Sequence, residues 1–343
     1  MVQTRGLGRS LPGAARAARP RLPNLTFRRA LTSVLLLAVC GLGSESLAGL
    51  LRAPPAAEVV AQSLASGLLM GCVYALIAVG LTLIFGLMEI VNFAHGEFLM
   101  LAMFTAFWLS ALFGLDPLAA LPVCAALLFV LGVLTYKGII SRVLRAPMLA
   151  QIIATFGLGV FLRSGAQFLW SPDYHVIANP LLAGRVSLPG DVFIGRPQLA
   201  ASLVALVAFG GLWWLVNRTE LGLALRATAE DREAAALMGI SPERVFALGW
   251  GIGALCVGVA GALMASFFYI FPDVGFLFGL IAYVAVALGG FGSIAGALVA
   301  GVVIGLVEAL AGLVVAPALK YVAVFLLYLV VVLARPQGLF GRY

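Results

Sequence analysis

Runs of about 20 apolar residues, separated by shorter polar stretches, recur along most of this chain. They fall at 31–51, 62–91, 98–114, 117–136, 148–170, 198–217, 245–270, 276–291, 295–315 and 318–334. A run of that length matches a hydrocarbon core of ~30 Å at 1.5 Å rise per residue. Backbone in lipid must satisfy its own hydrogen bonds, so each run is expected to be helical. The pattern predicts an all-α, polytopic integral membrane protein with about 8–10 transmembrane helices. Two places leave the number open. The first run contains Glu45, and the Gly-rich stretch 289–296 reads either as a turn between two helices or as a broken helix.

Composition agrees: 63% of the 343 residues are apolar, 10% are charged and the mean hydropathy is +1.12. Soluble domains run near 45–50% apolar and about 25% charged. Nucleic-acid binding, soluble Rossmann chemistry and a secreted disulfide scaffold are excluded as the main role. The net charge of +7 changes the picture only once it is located. Seven arginines (Arg5, Arg9, Arg16, Arg19, Arg21, Arg28 and Arg29) and no acid lie in residues 1–29, and the other 14 basic side chains balance 14 acidic ones. Segment 1–29 has a transit-peptide-like composition, yet reads best as a disordered cytoplasmic arm that holds the N-terminus inside. Residues 30–61 then form an extra apolar segment with its linker, 62–335 the transmembrane domain, and 336–343 a cytoplasmic tail. Basic residues orient the rest. Lys137, Arg142 and Arg145 mark one cytoplasmic loop, Arg218, Arg226, Arg232 and Arg244 the loop 218–244, and Arg335 and Arg342 the C-terminus. Residues 171–197, with Asp173 and Asp191, are left outside.

Glycine is abundant at 40 residues, and Gly67/Gly71, Gly292/Gly296 and Gly301/Gly305 are each spaced G-x-x-x-G. Such pairs let two helix backbones approach closely, in general bundle packing or at a subunit interface. Cys40, Cys72, Cys124 and Cys256 are isolated within apolar runs and read as buried thiols.

The most informative polar stretch is LGLALRATAEDREAAALMGISPERV, Leu221 to Val245. Ala-rich Glu230–Met238 favours helix, Gly239 suits a left-handed cap, and Ser241-Pro242 suits a new helix start. A short exposed helix with a small-residue face suits docking into a groove of another protein. Glu233-Ala234-Ala235-x-x-x-Gly239 resembles the EAA-x-x-x-G loop of ABC-importer permeases. The fuller string through Arg226, Glu230, Asp231, Ala235 and Gly239 resembles the branched-chain amino acid branch, the LivH-type permeases. The chain has two lysines, Lys137 and Lys320, and neither lies in a G-x-x-x-x-G-K-[ST] phosphate loop, so the sequence offers no ATPase of its own.

A second resemblance to the same family is Leu81-Thr82-Leu83-Ile84-Phe85-Gly86, followed by Asn92-Phe93-Ala94-His95-Gly96-Glu97. Polar groups at membrane depth are costly and face a cavity or a partner helix. Glu89, Asn92 and His95 are three apart and share a sector if the helix runs on to Gly96, where it is expected to break. Glu97 either lines a pathway or reaches the cytoplasmic headgroups. Glu308 is the deepest acid and either a pathway or a structural group; Arg163, seven residues from its helix end, is expected to snorkel. No metal site is expected: His95 and His175 are the only histidines and no ligand spacing joins them.

The resemblance implies a permease subunit of an ABC importer for branched-chain or related aliphatic amino acids. It further implies a paralogous second permease subunit, two cytoplasmic ABC ATPase subunits that use the ATP, an extracytoplasmic substrate-binding protein and a lipid bilayer, with no cofactor and no nucleic acid. The setting implied is a bacterial inner membrane with the C-terminus cytoplasmic. Arg226, Glu230, Asp231, Glu233, Ala234, Ala235 and Gly239 would be the ATPase-coupling loop. Glu89, Asn92, His95, Gly96, Glu97 and Glu308 would be the pathway or gate. Two alternatives stay open: the same architecture carrying urea or short amides, and an ion-coupled secondary transporter acting alone. A membrane enzyme is disfavoured, because no paired carboxylates or Cys–His pair is placed for chemistry.

Overall fold

A computed structural model of the chain describes residues 56–178, 182–188 and 192–341. The Arg-rich arm 1–29, the first apolar run 31–51 with Cys40 and Glu45, Asp191 and Arg342 lie outside the described residues. The helices are α1 (Ala57–Met88), α2 (His95–Phe113), α3 (Pro117–Thr135), α4 (Met148–Trp170), α5 (Arg196–Arg218) and α6 (Glu220–Glu230). They continue with α7 (Arg232–Leu237), α8 (Pro242–Met264), α9 (Val274–Gly289), α10 (Ile294–Val314) and α11 (Lys320–Ala334). A π turn at Tyr136–Ile140 extends α3 to Val143. Among the described residues, eight helices are long and apolar enough to cross a membrane. Helix α9, with 16 residues, spans only about 24 Å at 1.5 Å per residue. The chain is an all-α polytopic membrane protein, as its hydrophobic pattern predicts.

The structure moves one boundary, decides an open alternative and adds a hairpin. Helix α1 begins at Ala57, inside the stretch read as linker, because Glu58 and Gln62 can extend a 32-residue helix beyond the bilayer. The Gly-rich stretch resolves as a turn: Gly290 and Gly292 adopt φ of 100° and 78°, and the Ser293 hydroxyl accepts from Gly296 N–H at 3.1 Å to open α10. Gly292/Gly296 is therefore not a helix-face pair. The region between α4 and α5 carries a hairpin with no strong alternation to announce it, β1 (Arg185–Leu188) antiparallel to β2 (Val192–Gly195).

The hairpin marks one end of the bundle and the segment 218–244 the other, here called the hairpin end and the loop end. The core is built on α1, α8 and α10. Gly67 packs on Gly305 and Ala309, and Gly71 on Gly301 and Val302, so both glycine pairs serve packing within the chain. Gly80 and Gly253 make a similar approach between α1 and α8. Cys72, Cys124 and Cys256 are buried free thiols. At the loop end, residues after α11 fold back: Leu339 N–H donates to Leu288 carbonyl (2.8 Å) and Phe340 N–H to Gly289 carbonyl (3.0 Å).

Candidate functional site: a mid-bundle groove and a loop-end helix

Helix α1 ends earlier than the polar spacing suggests. Glu89 takes the left-handed conformation (φ 55°) and caps α1, its N–H donating to Phe85 carbonyl. Residues 89–94 are non-helical and α2 starts at His95. The expected break at Gly96 is thus displaced to 89–94, and Glu89, Asn92 and His95 share no helical sector. The cause is local: the Asn92 side chain accepts from Ala94 N–H (3.1 Å), and Asn92 carbonyl accepts from His95 N–H (3.1 Å), a turn that competes with helix.

This break carries the chain back into the bundle. His95 Nε2 hydrogen-bonds Ile77 carbonyl at 2.9 Å, far up α1 from its loop end, and Thr155 hydroxyl donates to Val91 carbonyl at 3.1 Å. Tyr283 hydroxyl of α9 donates to Asn92 carbonyl. Gly159, the centre of α4, faces Ala94 and Glu97. Helix α2 therefore begins deep in the bundle, where Gly96 meets Gly275 and Gly279 so closely that a Cβ on Gly96 would strike the Gly275 carbonyl.

Glu97 is 2% exposed and does not extend to a bundle end. Its Oε1 accepts from Arg163 Nε (3.1 Å) and Nη2 (2.5 Å), so Arg163 pairs inward instead of snorkelling. A second carboxylate, Asp273, stands 3.8 Å from Arg163 Nη1. Glu97 Oε2 has no hydrogen-bond partner among the described residues, nor do Asn92 Nδ2 and His95 Nδ1. Around the pair lies a groove of about 160 Å³ lined by Phe93, Gly96, Val160, Phe276 and Tyr283 among others. Neither Arg163 nor Asp273 was singled out as a site residue from sequence; a partnership across 66 positions leaves no periodic trace.

Glu308 lies elsewhere. It is 7% exposed, its Oε2 accepts from Tyr74 hydroxyl (2.6 Å) and its Oε1 from Lys320 (2.6 Å). It borders a cavity of about 490 Å³ towards the hairpin end, with Gln62, Ser66, Gln198 and Lys320.

At the loop end the helix expected over Glu230–Met238 forms over Arg232–Leu237, set off from a separate preceding helix, α6. Asp231 is extended (φ −151°, ψ 108°) and ends α6; its Oδ1 then accepts from Glu233 N–H (2.8 Å) and Ala234 N–H (3.0 Å), capping α7. Capping by Asp outweighs the helix propensity of the run. Gly239 is left-handed (φ 85°) and closes α7, its N–H donating to Ala236 carbonyl and Ile240 N–H to Ala235 carbonyl. Ser241 stands at the start of α8 with Pro242 at its first position, but its side chain makes no capping hydrogen bond. Arg226, Glu230, Glu233 and Ala234 are exposed. Ala235 is buried against its own chain and so is not part of an outward small face. The bulky groups that project are Leu237 (89% exposed) and Met238 (82%), which the small-face reading missed. Glu89 joins this region: with Met88, Gln151, Glu230, Asp231 and Glu233 it lines a polar cavity of about 610 Å³. The structure brings Glu89 to the loop and Gly96 and Glu97 to the groove, buries Asn92 and His95 outside its lining, and brings Glu308 to neither. No group of three or more His, Cys, Asp or Glu placed to hold a metal occurs among the described residues.

The family description "Branched-chain amino acid transport system / permease component" matches residues 63–334. This chain belongs to that family. Among curated relatives, the high-affinity branched-chain amino acid transport system permease protein BraD of Pseudomonas aeruginosa is 37% identical over 298 residues, covering 82% of this chain and 95% of BraD. LivH of Escherichia coli K12 is 32% identical over 295 residues, with the same coverage. A probable branched-chain amino acid transport permease protein LivH of Methanocaldococcus jannaschii is 29% identical, covering 68% of this chain and 76% of that protein. Permeases of this family are transport subunits, and the fold described above is that of a multi-pass membrane permease.

Proposed function

We propose that this chain is the permease subunit of an ABC importer that passes branched-chain or related aliphatic amino acids delivered by an extracytoplasmic binding protein. Two separate cytoplasmic ATPases supply the energy and a paralogous second permease completes the membrane unit; this chain needs no cofactor of its own. The loop end then faces the cytoplasm of a bacterial inner membrane, together with the C-terminus, and the hairpin end faces the binding protein.

The observation that carries this reading is helix α7. It is clamped at one end by the Asp231 carboxylate and at the other by Gly239, and it presents Leu237 and Met238 to solvent. Large apolar side chains on an otherwise polar exposed turn suit a desolvated anchor in a partner's pocket. Glu89 lines the same polar cavity as Glu230 and Asp231, which sets the loop near the 89–94 break. Reconstitution in proteoliposomes tests the proposal. Leucine uptake should require the binding protein, ATP and the ATPase subunits together. Uptake driven by an ion gradient without ATPases would replace this reading with a secondary transporter, and uptake of urea in place of leucine would move the substrate to short amides.

A further inference from the structure

We infer that the mid-bundle groove between α2, α4 and α9 is a recognition site for a free α-amino acid, with Arg163 holding its carboxylate, Glu97 its ammonium, and Phe93, Val160 and Phe276 its aliphatic side chain. The inference rests on the importer reading and gives it an address within the chain.

Three independent features converge on the groove. The first is an incomplete charge pair. Arg163 gives Nε and Nη2 to one oxygen of Glu97, while its Nη1 has only Asp273 at 3.8 Å, beyond hydrogen-bond reach. Arginine has five N–H donors in a fixed fork, so donors remain for a carboxylate. Glu97 Oε2 is a buried acceptor with no partner among the described residues, on a residue that is 2% exposed. Burying such an oxygen unpaired is unfavourable, and a ligand ammonium would satisfy it.

The second feature is the glycine floor. A Cβ on Gly275 would come within 2.8 Å of Glu97 Oε2, and one on Gly279 within 3.3 Å of Gly96 Cα. Glycine at these positions gives the buried oxygen room and lets the first turns of α2 and α9 meet. The third feature is the wall. Phe93, Phe156, Val160 and Phe276 are partly exposed, and Arg163 lies over the Phe276 ring at 5.2 Å. At about 160 Å³ the groove is well below the roughly 300–1,000 Å³ of drug-sized sites, which restricts it to a small ligand. A lipid chain or a helix of the second permease would fill the wall yet leave both charges unanswered.

The test uses the complete transporter, permeases with ATPases and binding protein, in proteoliposomes. Glu97→Gln, Arg163→Gln and the double variant are compared for leucine uptake, with co-elution of all subunits as the check on assembly. If the pair only braces the bundle, each single variant strands a buried charge and the double neutral variant recovers. If the pair holds a zwitterion, the double variant stays at least tenfold below wild type. Val160→Phe, which narrows the wall and leaves both charges in place, should cut leucine uptake at least tenfold and alanine uptake by less than threefold. Recovery of the double variant to within twofold of wild type, or equal loss of leucine and alanine in Val160→Phe, overturns the inference while the importer reading stands. A wild-type complex that moves no aliphatic amino acid overturns both.

Discussion

Two places in the bundle share the same materials and differ in how they are finished. At the α1–α10 seam, Gly67 and Gly71 meet Gly301 and Gly305, and the nearby carboxylate Glu308 has both oxygens engaged, by Tyr74 and Lys320. At the α2–α9 crossing, Gly96 meets Gly275 and Gly279, and the carboxylate Glu97 has one oxygen on Arg163 and the other without a partner among the described residues. The seam is closed in its chemistry; the crossing is half closed and opens onto a groove. Buried polar groups that are fully paired brace a structure, whereas a half-paired one is costly and points to something that comes and goes.

The largest expected effect breaks the seam. Glu308→Ala strands the buried Tyr74 hydroxyl and unpairs a Lys320 side chain that is 34% exposed, which puts the cost at about 3 kcal/mol, the low end for breaking a buried pair. The detergent-solubilised protein should unfold at markedly lower temperature, and uptake should fall only as far as the folded fraction does. Glu97→Gln should show the reverse proportion, a smaller stability loss of about 1–3 kcal/mol with a larger loss of uptake per folded transporter. Equal proportions in the two variants would erase the distinction between the sites.

Next in size is Gly71→Val, whose Cβ would lie 2.7 Å from Val302 Cα, a backbone atom that cannot swing away. Overpacking of this kind costs about 1–3 kcal/mol or more, and a melting temperature within a degree of wild type would show that the seam is looser than described. Gly239→Val comes third. No atom stands within 4 Å of its Cβ, so the whole cost is backbone strain at φ 85°, about 1–3 kcal/mol and confined to the loop. The bundle should stay folded while ATPase co-purification or substrate-stimulated ATP hydrolysis is lost; wild-type values in both would make α7 a solvated turn. The smallest effect on stability belongs to Leu237→Ser combined with Met238→Ser, within about 0.5 kcal/mol because both side chains are exposed. Pull-down of the ATPase subunits should nevertheless weaken at least fivefold, and unchanged pull-down would move the contact elsewhere.

What the sequence made legible follows from what kinds of signal a sequence holds. The apolar runs from residue 62 onward and the Gly239 cap are local, and they stand where periodicity and propensity put them. The 89–94 break and the division at Asp231 are also local, but each turns on one side chain bonding to nearby backbone, and apolar or Ala-rich context masks that choice. The pairs Glu97–Arg163 and Glu308–Lys320 are tertiary, so the acids were visible as costly residues while their partners were not. Ala235 shows the limit of a face argument: helical spacing says which residues lie together, and packing of α7 against its own chain decides which of them look outward.

The fold-back after α11 has a consequence for how the molecule is made. The carbonyls of Leu288 and Gly289 at the α9–α10 turn are answered by the N–H groups of Leu339 and Phe340, which leave the ribosome about 50 residues later. Until then the turn lacks these two bonds, and its left-handed Gly290 is held by local hydrogen bonds to Val286 and Ser293 alone. Residues 339–340 are the clasp of the loop end, so a variant whose chain stops before Leu339 would carry every described span and still present an open turn on the side where α7 stands.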